Sequence, residues 1–201
     1  MSAAKRDPEA TRAAILDAAE AVFVEKGFAD TATSAIARQA GVTKSLIHHH
    51  FGSKEALWEE IKTRRFSRYA EEQHAMIERS SPSAELLRQS LEFYFRFLQD
   101  NPELVRLMLW RHLERDPTAE TFEQMTQAGV RTIEASQEAG ELRSDVSARS
   151  ILFLFLAASE HWFQARDPYL TALCCSPADG SEDERYLQDM LKIFFEGVLP
   201  R

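Results

Sequence analysis

Cysteine is nearly absent from this chain of 201 residues: there are two, Cys174 and Cys175, adjacent in sequence. Neighbouring cysteines close a disulfide only with strain, so no disulfide framework is implied and the pair reads as two reduced thiols on or near a helix. No run of about 18 uncharged apolar residues occurs, which excludes a membrane-spanning helix of ordinary length. The N-terminal stretch MSAAKRDPEA holds no apolar signal-peptide core. The expected location is the cytoplasm, with no membrane partner. Glycine and proline are sparse, at seven each. Alternating β-branched runs are missing, and the apolar residues recur at intervals of three and four, so the fold class is all-α. No glycine-rich phosphate loop, nucleophile elbow or His-Glu-x-x-His sequence is present, and nucleotide-dependent, acyl-transfer and zinc-protease chemistry therefore lack a motif.

What is present suffices for a core, since 44% of the residues are hydrophobic. The formal net charge of −8 is unevenly spread: residues 1–65 hold 10 Lys/Arg against 9 Asp/Glu, and residues 66–201 hold 14 against 23. An acidic body repels a polyanion everywhere except where the N-terminal segment presents Lys5, Arg6, Arg12, Lys44 and Lys54, which favours one docking orientation.

Residues 31–54, TATSAIARQAGVTKSLIHHHFGSK, read as two short helices joined by a tight turn and followed at once by a third helix start. Thr31 is placed to cap the first helix, which carries Ile36, Ala37 and Ala40 on one face. Gly41 ends it, because glycine tolerates the left-handed conformation of a helix C-terminus, and Val42 fills the corner. Thr43 is a second N-cap. The helix behind it sends Ile47 and Phe51 inward at a spacing of four and leaves Lys44, Ser45, His48, His49 and His50 to face a ligand. A helix this short is held by its packing. Such a helix-turn-helix makes a DNA-binding protein the leading reading.

With the helix from Pro8 to Lys26, Gly27-Phe28, Ile36-Ala37, Ala40-Gly41-Val42, the His49-His50-Phe51 run and Ser53-Lys54-Glu55-Ala56-Leu57, the chain resembles the TetR/AcrR family of bacterial transcriptional regulators. The likeness is specific from about Arg12 to Leu57 and elsewhere extends to length and helical pattern. It implies that Lys44, Ser45 and Leu46 open the recognition helix at base edges, that His49 is a further contact, and that Lys54 meets a phosphate. It also implies that Thr31 and Thr43 offer hydroxyl and backbone N–H groups to phosphates. His48 stands where the family usually has a phosphate-binding tyrosine; imidazole still donates a hydrogen bond, but it is shorter and titrates near neutrality. Ser34 stands where some members place a guanine-reading arginine, so less specificity is expected from that helix.

The resemblance further implies a helix-turn-helix DNA-binding domain over residues 1–55 and a helical effector-binding and dimerisation domain over 56–201, about nine helices in all. Helix starts are expected at Pro8, Ser53, Ser81-Pro82-Ser83, Asn101-Pro102, Asp116-Pro117, Ser144 or Asp145, and Ser181 with Glu184 as a capping box. The helix from Val146 to about Arg166 is apolar on two tracks, Ile151, Phe155 and Trp162 on one and Leu154, Ala158 and His161 on another, so it needs two partners. In the resembled family the last two long helices form a homodimer interface, and a homodimer reads an inverted-repeat, palindromic operator in double-stranded DNA. An effector pocket is expected among Phe95, Leu107, Trp110, Phe155, Trp162 and Phe163, with His112, Gln127 or His161 as polar anchors, suited to a small apolar or aromatic molecule. Its binding would shift the population away from the DNA-competent form and release the protein, more often a repressor than an activator in that family.

Neither a cofactor nor a metal is expected. Successive residues point roughly 100° apart around a helix, so His48, His49 and His50 cannot converge on one ion. A di-iron helical bundle needs two Glu-x-x-His pairs, and only Glu71-Glu72-Gln73-His74 has that spacing. The alternatives to a regulator are a helical protein–protein adaptor and, behind it, such a metal-dependent enzyme.

Overall fold

The computed structural model describes residues 7–115, 120–173 and 180–199. Lys5, Arg6, Asp116-Pro117, Cys174 and Cys175 lie outside the described residues. Every element within them is an α-helix: α1 (Pro8–Lys26), α2 (Thr33–Ala40), α3 (Lys44–Phe51), α4 (Lys54–Glu78), α5 (Ala84–Asp100), α6 (Pro102–Leu113), α7 (Glu120–Glu138), α8 (Ala148–Ala172) and α9 (Ser181–Val198). Local chemistry sets many of the boundaries. Pro8 opens α1 behind an Asp7 cap, and Gly41 closes α2 in the left-handed conformation. The hydroxyls of Thr43, Ser53 and Ser83 accept from Leu46, Ala56 and Leu86 N–H at 3.3, 3.0 and 3.1 Å.

Two starts and one end differ from expectation. Ser181 is the first helical residue of α9 rather than its cap, which is Gly180, and Glu184 turns outward to Arg96 and Gln188. Ser147 precedes α8 in place of Ser144 or Asp145, because Asp145 is held by Arg143. At its other end α8 runs through Pro168 to Ala172. The carbonyl four residues back, on the exposed Gln164, can turn to water, and burial of Leu170 anchors the extra turn.

The chain divides into two compact units, residues 1–66 with 106–119 and residues 67–105 with 120–201. The first reaches beyond residue 55 because the opening turns of α4 and the end of α6 belong to its core: Leu57, Trp58, Ile61 and Leu107 pack with Ile15, Phe23, Ile36 and Ile47. Three ion pairs, Arg12–Glu60, Arg64–Asp17 and Arg65–Glu20, tie α4 to α1 along the rim. Partly exposed pairs contribute up to about 1 kcal/mol each, against about 1.5–3 kcal/mol for burying one large apolar side chain, so the apolar seam fixes the packing and the pairs trim its register.

In the second unit α5 buries Leu87, Leu91, Phe95 and Leu98. α8 and α9 run antiparallel, matched at Phe155 with Phe194, Ser159 with Met190 and Trp162 with Asp183. The buried Asp183 carboxylate accepts from Trp162 Nε1 at 2.8 Å and Gln99 Nε2 at 3.3 Å and pairs with Arg166, which satisfies a charge that would be costly alone. Gly129 lets α7 approach α8, since a Cβ there would lie 3.2 Å from Leu152. No helix among the described residues is long and apolar enough to cross a membrane.

Candidate nucleic-acid interface

α3 is fixed from within by Ile47 and Phe51, one turn apart and both buried. The opposite side carries Lys44, Ser45, His48 and His49, all exposed, with Leu46 partly covered. Thr43 is exposed at the N-cap, where its hydroxyl serves Leu46 N–H and the first-turn amides of α3 point outward, an arrangement suited to a phosphate. The corner before it is made by Gly41, whose N–H and that of Val42 return to carbonyls at the end of α2. The sequence therefore presents one convex, two-turn helix whose inner face is apolar and whose outer side is polar apart from Leu46. That is the shape and chemistry that a major groove admits.

His48 folds back on its own helix end. Its Nδ1 lies 2.8 Å from the Gly52 carbonyl oxygen, so the proton sits on Nδ1 and the neutral ring offers only an acceptor at Nε2. Donation to a phosphate from this ring requires the imidazolium.

Two expected phosphate contacts are placed differently. Thr31 is 2% exposed, its hydroxyl donates to the Gly27 carbonyl at 2.6 Å and its N–H to Phe28 O at 3.3 Å. Both donors are consumed inside the α1–α2 turn, and α2 starts two residues later behind Ala32, which makes no side-chain cap. Thr31 is thus a buried clasp with neither donor left over for a phosphate. Thr31→Val, which keeps the shape and removes the donor, is expected to lower stability by about 1–2 kcal/mol in urea denaturation. The salt slope of DNA binding should stay as in the parent, and a slope reduced by one would return Thr31 to the interface. Lys54 also faces inward: Nζ donates to Phe28 O at 2.8 Å and Thr31 O at 3.1 Å and sits 4.1 Å from the Phe28 ring centre. One of its three N–H groups is left for a phosphate. Arg12 lies over Phe51 and pairs with Glu60.

The expected effector residues are divided between the two units. Leu107 is in the core of the first unit, and Trp110 packs on Gly27 with its Nε1 donating to Val24 O at 3.3 Å. Phe95, Phe155 and Trp162 are in the second unit, where Phe95 packs on Phe163, Phe155 on Phe194, and Trp162 stacks on Tyr186 at 4.0 Å. His161, His112 and Gln127 are all exposed, so none is an interior anchor. Burial instead pushes the Tyr69 hydroxyl well above its ordinary pKa, in a stack with Phe93 and Phe97 that the sequence reading passed over. The place of Tyr69 on the apolar track of α4 after Leu57, Ile61 and Phe66 was the available signal. Among the described residues no three His, Cys, Asp or Glu side chains are gathered as a metal site would need.

The comparisons with known proteins agree with this geometry. The family model described as bacterial regulatory proteins, tetR family, matches residues 15–61. The model of a tetracyclin repressor-like C-terminal domain matches residues 92–189. An HTH-type transcriptional repressor of Streptomyces coelicolor, SCO4008, is 29% identical over 167 residues, 79% of this chain and 81% of that one. In fold the chain is similar to SCO4942 of Streptomyces coelicolor, with a TM-score of 0.71 at 22% identity over 94% of this chain and 98% of that one. It is similar also to the ketosteroid transcriptional regulator KstR2 of Mycobacterium tuberculosis, with a TM-score of 0.71 at 18% identity over 94% and 95% of the two chains.

Proposed function

The chain belongs to the TetR family of bacterial regulatory proteins and is a DNA-binding transcriptional regulator, not an enzyme; from that premise we propose that it works as a homodimeric repressor on an inverted-repeat operator and is released by a small effector. The observation that carries the reading is α3, whose inner face is spent on Ile47 and Phe51 while Lys44, Ser45, His48 and His49 stand outward. In this reading Lys44, Ser45, Leu46 and His49 meet base edges and Thr43, His48 and the remaining Lys54 N–H meet phosphates. The protein acts in the cytoplasm, where its DNA is.

The effector is apolar or aromatic. Phe95 and Phe155 are 0% and 1% exposed, so a ligand reaches them only in a conformation that parts the surrounding helices. That requirement supplies the difference in affinity between two conformations on which a population shift depends.

The reading is tested by selecting bound duplexes from a random pool with the whole protein. Enrichment of one inverted repeat supports it, and enrichment of none favours the adaptor. On the selected duplex, Lys44→Ala is expected to reduce the slope of log affinity against log salt by about one and to relax preference at one position in each half-site. Lys54→Ala should weaken every duplex through its lost charge, weaken the selected duplex further and lower the melting temperature, because the Phe28 and Thr31 carbonyls lose the donor that closes the helix-turn-helix. Equal losses on every sequence for Lys44→Ala would show that Lys44 reads no base.

A further inference from the structure

The turn between α1 and α2 is gripped from two directions. From α4, Lys54 donates to the carbonyls of Phe28 and Thr31, joining the residue that enters α2 to the residue that follows α3. The helix-turn-helix is thereby closed at its base. From α6, Trp110 rests on Gly27 and donates to Val24 O, and Glu114, just past the helix, accepts the Ala29 N–H through Oε1 at 3.1 Å. Gly27 has no Cβ to spare: one placed there would lie 2.7 Å from both Glu114 Oε1 and the Trp110 ring.

Glu114 is a poor residue for this place if it serves only to cover the turn. Its second oxygen, Oε2, is buried and has no hydrogen-bond partner among the described residues. A half-satisfied buried carboxylate is a stability cost that an apolar side chain would avoid. What the carboxylate has that an apolar side chain lacks is a directional acceptor aimed at one backbone N–H. We propose that Trp110 and Glu114 are positioning residues for DNA binding, holding the α1–α2 turn so that the base of the helix-turn-helix, and α3 with it, keeps the orientation that reads sequence. The proposal goes beyond the contacts of α3 and rests on the DNA-binding reading. Neither residue touches DNA; each acts through Gly27 to Ala29 and the Lys54 closure.

The test uses the full chain, the Glu114→Ala and Glu114→Gln variants, and two probes: the selected inverted repeat and a scrambled duplex of equal length. Glu114→Ala should lose about tenfold in affinity for the inverted repeat, the worth of a charge-assisted hydrogen bond, while binding to the scrambled duplex is unchanged because every cation remains. Glutamine keeps the Oε1 acceptor, so Glu114→Gln should restore specific affinity to within a factor of about three. Amide exchange at Ala29 is read on the same samples without DNA, and only the alanine variant should show a faster rate. Parental affinity in Glu114→Ala, or an equal loss on both duplexes that glutamine does not restore, overturns the proposal. A parent protein that prefers neither duplex overturns the DNA-binding reading itself, and a fast Ala29 amide in the parent overturns the clamp alone.

Discussion

Replacing Gly27 by alanine is expected to lower the unfolding free energy by about 3 kcal/mol, where the same change at Gly41 costs about 1 kcal/mol. Both glycines close helices at positive φ, so the difference lies in what surrounds them. Gly41 adopts φ 64° and ψ 35°, the left-handed region that other residues enter at modest cost, and a Cβ there meets nothing within 4 Å. Gly27 adopts φ 76° and ψ 179°, a region essentially reserved for glycine, and a Cβ there would strike Trp110 and Glu114 at 2.7 Å. Backbone strain and overlap add, and the adjacent core of Phe23 and Trp58, whose rings meet at 4.9 Å, leaves little slack. Urea denaturation of the two variants beside the parent measures the contrast. Equal losses would mean that α6 gives way freely and that the Gly27 contact constrains nothing.

The same glycine marks what a sequence can disclose. Gly41, Thr43, Ser53 and Pro8 were legible because a cap is decided within four residues, and Ile47 and Phe51 were legible because a short amphipathic helix has one inner face. Thr31 and Lys54 turn toward the protein for a reason that no local pattern carries: a threonine or lysine offers the same donors to a phosphate as to a carbonyl, and only the path of the α1–α2 turn decides which acceptor is nearer. Leu107 and Trp110 were assigned to the body because α6 follows α5 in sequence, yet the Trp110 bond to Val24 spans 86 residues and no local pattern announces it. The aromatic count alone could not tell a pocket from a core. Phe95 and Phe155 are packed against their own neighbours, and the histidines meant to anchor a ligand are at the surface. The two tracks of α8 were legible as two, since Ile151 and Phe155 are buried while Leu154 is 61% exposed.

The exposed side of α8 leads to the other large effect: in the proposed homodimer, Phe153→Asp combined with Ile193→Asp is expected to leave a monomer and to weaken the selected inverted repeat roughly 10²–10⁴-fold. Phe153 is 71% exposed and Ile193 72% exposed, which is unusual for side chains of their size, and Leu154 adjoins Phe153 on α8. The Phe155–Phe194 contact sets α8 and α9 side by side, so each helix offers an exposed apolar side chain, with the small Ala157 and Gly197 one turn from Phe153 and Ile193, to a second helix pair. A two-fold interface repeats every contact, so two substitutions place four carboxylates in one apolar patch, and their desolvation far outweighs the attraction that remains. Neither side chain supports the core of its own protomer, and the melting temperature of the variant should therefore stay within a few degrees of the parent. Without the second copy each recognition helix holds a single half-site, and the gain from binding the second half-site at high effective concentration is lost. Light scattering gives the mass and titration of the duplex gives the affinity. A variant that remains a dimer and binds at parental strength would move the interface off α8 and α9, and one that turns monomeric with undiminished affinity would show that one half-site suffices.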